Sequence, residues 1–284
     1  KYVSDGTVEG NETFGSSLMS DGTLYVARFN EDGTVDWLPL VRGTGPLTAE
    51  NGFNDQGDVM IDARLAADLL GATPMDRPED AQPRGDGTAY IMLTNNTKRK
   101  DANAANPRVD NAFGHIVEIA EEGGDFAATT GRWEILVQCG DPAVAEVGAT
   151  FSTETTKDGW FGMPDNCAID TDGRLWVSTD GMSPKIGRTD GLFAVDTSGE
   201  LATSKLFFRV PIGAEMCGPL PTPDLTTFFV AVQHPADGGD DWEGFGRPSY
   251  YEDLSTRWPD FRDDMPVRPS VVAITKQGGG KIGA

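Results

Sequence analysis

The sequence contains few of the residues that build disulfide frameworks or histidine-rich metal sites. Its 284 residues include 3 cysteines and 2 histidines. The cysteines, Cys139, Cys167 and Cys217, are odd in number and no two have Cys-x-x-Cys spacing, so we predict buried free thiols. With two histidines, a Ser-His-Asp triad or a zinc site with several histidines is poorly supported.

Positive charge and long hydrophobic runs are also scarce. The chain has 23 Lys and Arg residues against 45 Asp and Glu residues, which gives a net charge of −22. A surface of this charge repels phosphate backbones and anionic lipids, so we expect no nucleic-acid partner. Apolar runs of about 18 residues are absent, so no transmembrane helix is predicted. The acidic residues either form a solvated surface or, in some loops, bind hard cations.

Short β-rich segments joined by glycine-containing turns recur along the chain. Hairpins are predicted at residues 22–37, 114–126 and 191–201, with a further strand from residue 270. Repeats of two hairpins, about 50 residues apart, are typical of the four-stranded blades of a β-propeller. We therefore predict an all-β fold in which residues 1–284 form one β-propeller domain or its C-terminal part. Either about four blades close a ring, or the chain is the later part of a six-bladed one.

Two insertions interrupt the repeat, at about residues 58–84 and 236–266. The first contains one predicted amphipathic helix over residues 58–70, which ends at Gly71. The second is aperiodic and rich in glycine, aspartate and aromatic residues. A loop of this length is usually functional or flexible. It is a contact surface, a lid over an axial site or a set of packed aromatic residues.

Polar residues at the ends of the predicted strands are the first candidates for chemistry. Arg77 and Glu79 lie in a turn stiffened by Pro78, where they are either site residues or a structural salt bridge. Asp165 and Asn166 precede a strand and offer the oxygen ligands that suit Ca²⁺, although both are also ordinary turn residues.

Five further residues complete the set of candidates. Glu215 lies in a segment of small and apolar residues, where a buried carboxylate requires a partner such as a metal ion or an arginine. Asn95 and Asn96 end a strand and are a possible pair of ligands or of supporting residues. Asn111 is assigned to the same rim, and His234 lies either at this rim or simply at the end of a strand.

Several short motifs, in a fixed order along nearly the whole chain, match one known pattern. They include Asp76-Arg-Pro-Glu79-Asp80, Leu93-Thr-Asn-Asn96, Asn111-Ala-Phe-Gly-His-Ile116, Pro164-Asp-Asn166, Gly213-Ala-Glu-Met-Cys-Gly-Pro219 and Val232-Gln-His-Pro235. Each motif is weak by itself, but the combination is specific. The sequence resembles the PhoX family of bacterial alkaline phosphatases.

The resemblance implies a six-bladed propeller that is exported by the twin-arginine route to the periplasm or the outside of the cell. It implies a site on the propeller axis that combines Fe³⁺ with Ca²⁺ and hydrolyses small-molecule phosphate esters to release inorganic phosphate. Glu79 and Glu215 would be metal ligands, Asp165 and Asn166 would lie near the calcium side, and Arg77 would face the phosphate. We expect a monomer.

The resemblance also implies that the chain corresponds to the later portion of the family pattern. The earlier portion would supply a signal peptide, an iron-binding cysteine, further acidic ligands and the remaining blades. Two other functions stay open on the residues alone. A calcium-dependent lactonase or sugar-ester hydrolase would use the same Asp, Asn and Glu rim, and a non-catalytic propeller would offer an acidic face to partners.

Overall fold

Antiparallel strands make up most of the regular structure in the computed structural model, which describes residues 1–8, 17–181, 186–237 and 249–283. The strands are β1 (Tyr2–Ser4), β2 (Gly22–Phe29), β3 (Thr34–Pro39), β4 (Pro78–Pro83), β5 (Thr88–Leu93), β6 (His115–Glu121), β7 (Thr130–Gln138), β8 (Pro164–Ile169), β9 (Leu175–Thr179), β10 (Gly191–Asp196), β11 (Thr203–Arg209), β12 (Glu215–Pro221), β13 (Thr227–Gln233) and β14 (Ser270–Thr275). The helices are α1 (Ser17–Ser20), α2 (Gln56–Ile61) and α3 (Ala63–Leu70), with 3₁₀ turns at Ala49–Asn51, Glu122–Gly124 and Ala145–Val147.

The strands form three sheets that follow one another along the chain. Strands β4 to β7 and strands β8 to β11 are four-stranded antiparallel meanders, and β12 to β14 form a three-stranded one. Short glycine-containing turns join β4 to β5, β8 to β9 and β10 to β11, as the sequence pattern predicts, whereas longer loops join β5 to β6, β9 to β10 and β13 to β14. These meanders have the arrangement of propeller blades.

The first predicted hairpin does not form a blade of its own. Strand β3 pairs with the outer edge of β7, from Thr34 opposite Arg132 to Asp36 opposite Thr130, so β1 to β3 extend the first meander to seven strands. The extended sheet curls, and Val35 is fully buried in a cluster that also contains Ile119. A lone hairpin cannot bury its apolar face by itself, and this pairing provides the cover.

The predicted single helix over residues 58–70 is wrong, because the structure contains two short helices that meet at Asp62 (φ −99°, ψ 35°). The direction changes there, so Val59 and Ala66 reach the core whereas Ile61 is 83% exposed. Gly71 ends α3 in the left-handed conformation with φ 78°, as predicted. Among the described residues, no helix is long and apolar enough to cross a membrane.

The core lies between the faces of successive sheets. Trp176 of β9 is 2% exposed and packs against Phe207 and Phe228, with ring centroids 5.1 and 4.6 Å away. Strands β4, β8 and β12 each form one edge of their own sheet, and β8 packs against both of the others. These three strands, called the inner strands below, therefore lie side by side. In the predicted second insertion, Trp242 and Phe245 lie outside the described residues.

Candidate active site

Each of the three inner strands has a carboxylate at its first or second residue. Glu79 is the second residue of β4, Asp165 is the second residue of β8, and Glu215 is the first residue of β12. Because β8 packs against β4 and β12, the starts of the three strands come together at one end of the sheets. The structure thus brings three of the predicted metal ligands into one cluster, although they are separated by long stretches of sequence.

Each inner strand also contains a β-bulge close to its start. The register with the neighbouring strand shifts between Pro78 and Ala81, and again between Pro164 and Cys167. A third shift occurs in β12, after Cys217. A bulge adds an unpaired residue and re-aims the side chains beside it, which is a common device next to active sites. Here the bulges turn Glu79 and Asp165 out of the regular strand alternation.

Side chains of the bulges connect adjacent inner strands. The carboxylate of Asp80 accepts a hydrogen bond from the backbone N–H of Cys167 at 2.9 Å. The Oδ1 atom of Asn166 accepts one from the N–H of Gly218 at 3.1 Å. Asn166, predicted as a residue of the calcium side, therefore uses its amide oxygen to join β8 to β12 in this structure.

The guanidinium of Arg77 lies beside the carboxylates of Glu79 and Asp180. Its Nη2 atom is 3.1 Å from Oε1 of Glu79 and 3.5 Å from Oδ2 of Asp180, and its side chain is 48% exposed. The salt bridge considered from the sequence is therefore present, but the guanidinium still has donors free to face solvent. Asp180 directly follows β9 and lies beside the start of β8, where Thr179 pairs with Pro164.

Asp165 is the most perturbed carboxylate of the cluster. It is 6% exposed, and its pKa is raised from 3.8 to about 7. Burial is the largest cause, followed by the negative charges of Asp180, Glu79 and Glu215, while Arg77 acts in the opposite direction. Four carboxylates thus share one small region with one guanidinium, which is an arrangement that favours the binding of cations.

Three side chains of the same sheet region contact the carboxylate of Glu215. Its Oε2 atom accepts from Nε2 of Gln233 at 2.5 Å and lies 3.0 Å from Nε2 of His234, while the Cys217 thiol donates to Oε1 at 2.9 Å. These contacts offset the cost of a carboxylate side chain that is 16% exposed. The sequence predicts a metal ion or an arginine as the partner of Glu215; among the described protein groups, its partners are an amide, an imidazole and a thiol.

Three residues other than glycine adopt positive φ angles next to this cluster. They are Arg77 (φ 48°), Met163 (φ 53°), which precedes the start of β8, and His234 (φ 30°) at the end of β13. Such conformations are strained for residues with a Cβ atom and tend to occur at functional sites, where the surrounding structure enforces them.

The asparagines assigned to the rim, as ligands or supporting residues, lie in different surroundings. Oδ1 of Asn96 accepts the N–H of Lys98 at 3.1 Å, and Asn95 is half-buried beside it. Asn111 is buried, and its Nδ2 atom donates to Oδ2 of Asp76 at 3.0 Å. Asn96 therefore stabilises a turn, and Asn111 supports the residue that precedes Arg77.

The sequence reasoning missed Asp180 and Gln233. Asp180 follows the fully buried strand β9 and precedes Gly181, which has φ 90°. This is the same signal, an acid at the end of a strand, that pointed to other candidates. Gln233 carries no comparable signal, because its contact with Glu215 depends on the pairing of β12 with β13.

Comparison with known proteins assigns the family. The family profile described as alkaline phosphatase PhoX matches residues 1–236. The chain belongs to the PhoX family. The solved structure "Pseudomonas fluorescens PhoX in complex with vanadate, a transition state analogue" is similar to it, with a TM-score of 0.83 and 32% sequence identity. This similarity confirms the predicted β-propeller fold.

The match to the PhoX relative is uneven in length. The match covers 100% of this chain and 49% of the Pseudomonas chain, so this chain spans about half the length of that relative. No curated protein sequence matches the chain.

PhoX phosphatases depend on metal ions. Within the described residues, no group of three or more His, Cys, Asp and Glu side chains is close enough together to hold a metal ion. The cluster nevertheless fits part of a cation site, because Asp165 lies among three other carboxylates that raise its pKa. Carboxylate oxygens match hard cations such as Ca²⁺ and Fe³⁺ better than they match Zn²⁺, which prefers nitrogen and sulfur.

Proposed function

We propose that this protein is a metal-dependent alkaline phosphatase that hydrolyses small-molecule phosphate esters and releases inorganic phosphate. Membership of the PhoX family supports this function, and so does the similarity to a PhoX structure that contains a transition-state analogue of phosphoryl transfer. The main observation in its support is that Arg77 is half-exposed and lies near carboxylates from β4, β8 and β12.

Arg77 is the residue that would bind the phosphoryl group. A planar guanidinium can donate two parallel hydrogen bonds to phosphate oxygens, which fixes the orientation of the group and offsets its charge. Glu79 and Asp180 hold one nitrogen of the guanidinium and thereby limit the directions in which it can point. Positioning and charge stabilisation account for most of the catalysis in phosphoryl transfer.

Glu79, Asp165 and Glu215 are the residues that would hold cations, which we propose to be Ca²⁺ and Fe³⁺. Bound cations would offset the charge on the phosphoryl oxygens and activate the attacking nucleophile. They would also reverse the local field of a protein with a net charge of −22, which otherwise repels an anionic ester.

The pKa of Asp165 relates this cluster to alkaline conditions. Since that pKa is about 7 in the absence of a cation, the side chain is a carboxylate, able to act as a ligand, mainly above neutral pH. Below neutral pH a proton competes with the cation for the same oxygen atoms. We therefore expect metal loading, and with it activity, to increase as the pH rises above neutrality.

We also propose that the protein acts as a monomer in the periplasm or outside the cell. Its family relationship supports this location. Cell fractionation with an antibody against the protein tests it, and recovery of the protein with cytoplasmic markers would contradict it.

The function is tested on the full-length protein with p-nitrophenyl phosphate as substrate and a lactone as the competing class of substrate. We expect phosphate release that is lost on chelation, with calcium and iron found by elemental analysis. Arg77→Met and Glu215→Gln should each remove most of the activity. Glu118→Gln is the matched control, because Glu118 is also a half-buried carboxylate with a raised pKa but lies in β6, away from the cluster. Turnover of the lactone without phosphate release would contradict the proposal.

A further inference from the structure

Backbone hydrogen bonds hold Arg77 in its turn through both its N–H and its carbonyl group. The carbonyl of Arg77 accepts a hydrogen bond from the N–H of Thr94 at 3.1 Å, and its own N–H donates to the carbonyl of Met75 at 3.1 Å. Within this turn Arg77 has φ 48°. A residue with a Cβ atom keeps this conformation only where its surroundings enforce it.

The buried side chain of Asp76, the residue just before Arg77, connects this turn to the rest of the structure. It is 0% exposed, and each of its carboxylate oxygens has a partner. Nε of Arg99 donates to Oδ1 at 2.5 Å, and Nδ2 of Asn111 donates to Oδ2 at 3.0 Å. Both partners belong to the loop between β5 and β6.

The same loop also holds the beginning of the turn. Nη2 of Arg99 donates to the carbonyl of Pro74 at 3.0 Å, and Nδ2 of Asn106 donates to that carbonyl at 3.1 Å. Arg99 therefore joins Asp76 and Pro74 through two different nitrogens. A lysine at this position could not reproduce that geometry, because its ammonium group is a single point of charge.

We infer that Asp76, Arg99 and Asn111 are positioning residues for Arg77, and that they hold its guanidinium where the phosphoryl group binds. This inference rests on the proposed function. The three residues contact the turn from its buried side, whereas Glu79 and Asp180 contact the guanidinium itself. Loss of this support should displace Arg77 and lower phosphate binding and turnover without removing any group that touches the substrate.

A double-mutant cycle in the full-length enzyme separates positioning from general stability. Asp76→Asn should lower kcat/KM by about 100-fold, since a misplacement of about 1 Å can have an effect of this size. In the Arg77→Met background the same substitution should cause no further loss, because its effect acts through Arg77. If Asp76→Asn does not fold, Arg99→Lys takes its place in the cycle.

Asp170→Asn is the matched control for a buried ion pair. Asp170 is 5% exposed, pairs with Arg174 at 3.1 Å and accepts the indole N–H of Trp176 at 2.9 Å, but it follows the far end of β8. It should lower the melting temperature to an extent comparable with Asp76→Asn and leave kcat/KM unchanged.

Two results would overturn the inference. One is a loss of kcat/KM from Asp76→Asn that is equally large with and without Arg77. The other is activity of Asp76→Asn that matches the Asp170→Asn control. If the unmodified protein hydrolyses no phosphate ester, the proposed function is wrong. In that case the same cycle is measured as affinity for inorganic phosphate, which tests the role of Asp76 without turnover. Additive losses of affinity from Asp76→Asn and Arg77→Met would again overturn the inference.

Discussion

The substitution Asp165→Asn should make the protein more stable at alkaline pH while it removes the activity. Burial and three neighbouring carboxylates raise the pKa of Asp165 from 3.8 to about 7. The unfolded chain therefore loses this proton near its ordinary pKa, whereas the folded protein keeps it up to about neutral pH. Between pH 3.8 and about pH 7 the folded state binds more protons than the unfolded chain. The free energy of unfolding therefore falls as the pH rises through this range, and the decrease is complete above about pH 7.

The size of this effect follows from the pKa. A rise from 3.8 to about 7 corresponds to at most about 4 kcal/mol in the free energy of unfolding. The cluster opens to solvent at Arg77, and screening by water reduces the effect to about 2 kcal/mol. An asparagine has a similar shape and no charge, so the substitution should recover about this amount at alkaline pH.

The assay is urea unfolding of the full-length protein in chelator, for the unmodified protein and for Asp165→Asn. The variant should be more stable by about 2 kcal/mol near pH 8 and by about 1 kcal/mol or less near pH 5. Asp196→Asn is the control of opposite sign, because hydrogen bonds from Ser198 lower the pKa of Asp196, and this variant should not gain stability. Equal stabilities of Asp165→Asn and the unmodified protein near pH 8 would refute the reasoning. Phosphatase activity should be lost in the variant, since a neutral amide is a weaker ligand for hard cations than a carboxylate.

Three further substitutions test the fold and the site. Asp190→Asn should lower activity about tenfold, because Asp190 accepts hydrogen bonds at 2.8 and 2.9 Å from the residues on either side of Asp180, and steady-state kinetics measures the loss. Gly114→Ala should lower the melting temperature of the protein far more than Gly148→Ala. Both glycines have positive φ angles, but a Cβ atom at Gly114 would lie 2.2 Å from two backbone oxygens, whereas one at Gly148 would have no atom within 4 Å. Trp176→Ala should cost about 4 kcal/mol in urea unfolding, and a loss below about 1 kcal/mol would contradict its place in the core.

The sequence by itself determined the strands, the turns and the types of residue in the site. In the hairpins predicted at residues 114–126 and 191–201, the first strands formed within those bounds, because alternation and glycine turns are local signals. Their second strands begin only at Thr130 and Thr203, after longer turns than predicted. Arg77, Glu79, Asp165 and Glu215 were found as polar residues at strand ends. The structure brings their side chains into one cluster, since the blades of a propeller present equivalent strand ends to one place.

Only the tertiary structure decided how distant segments pair. The pairing of the first hairpin with β7 and the contact of Asp80 with Cys167 depend on residues far apart in the chain. The raised pKa of Asp165 likewise depends on burial and on charges contributed by other strands. Local propensity carries no information about such distances, because burial and Coulomb interactions are set by the packing of the sheets against one another.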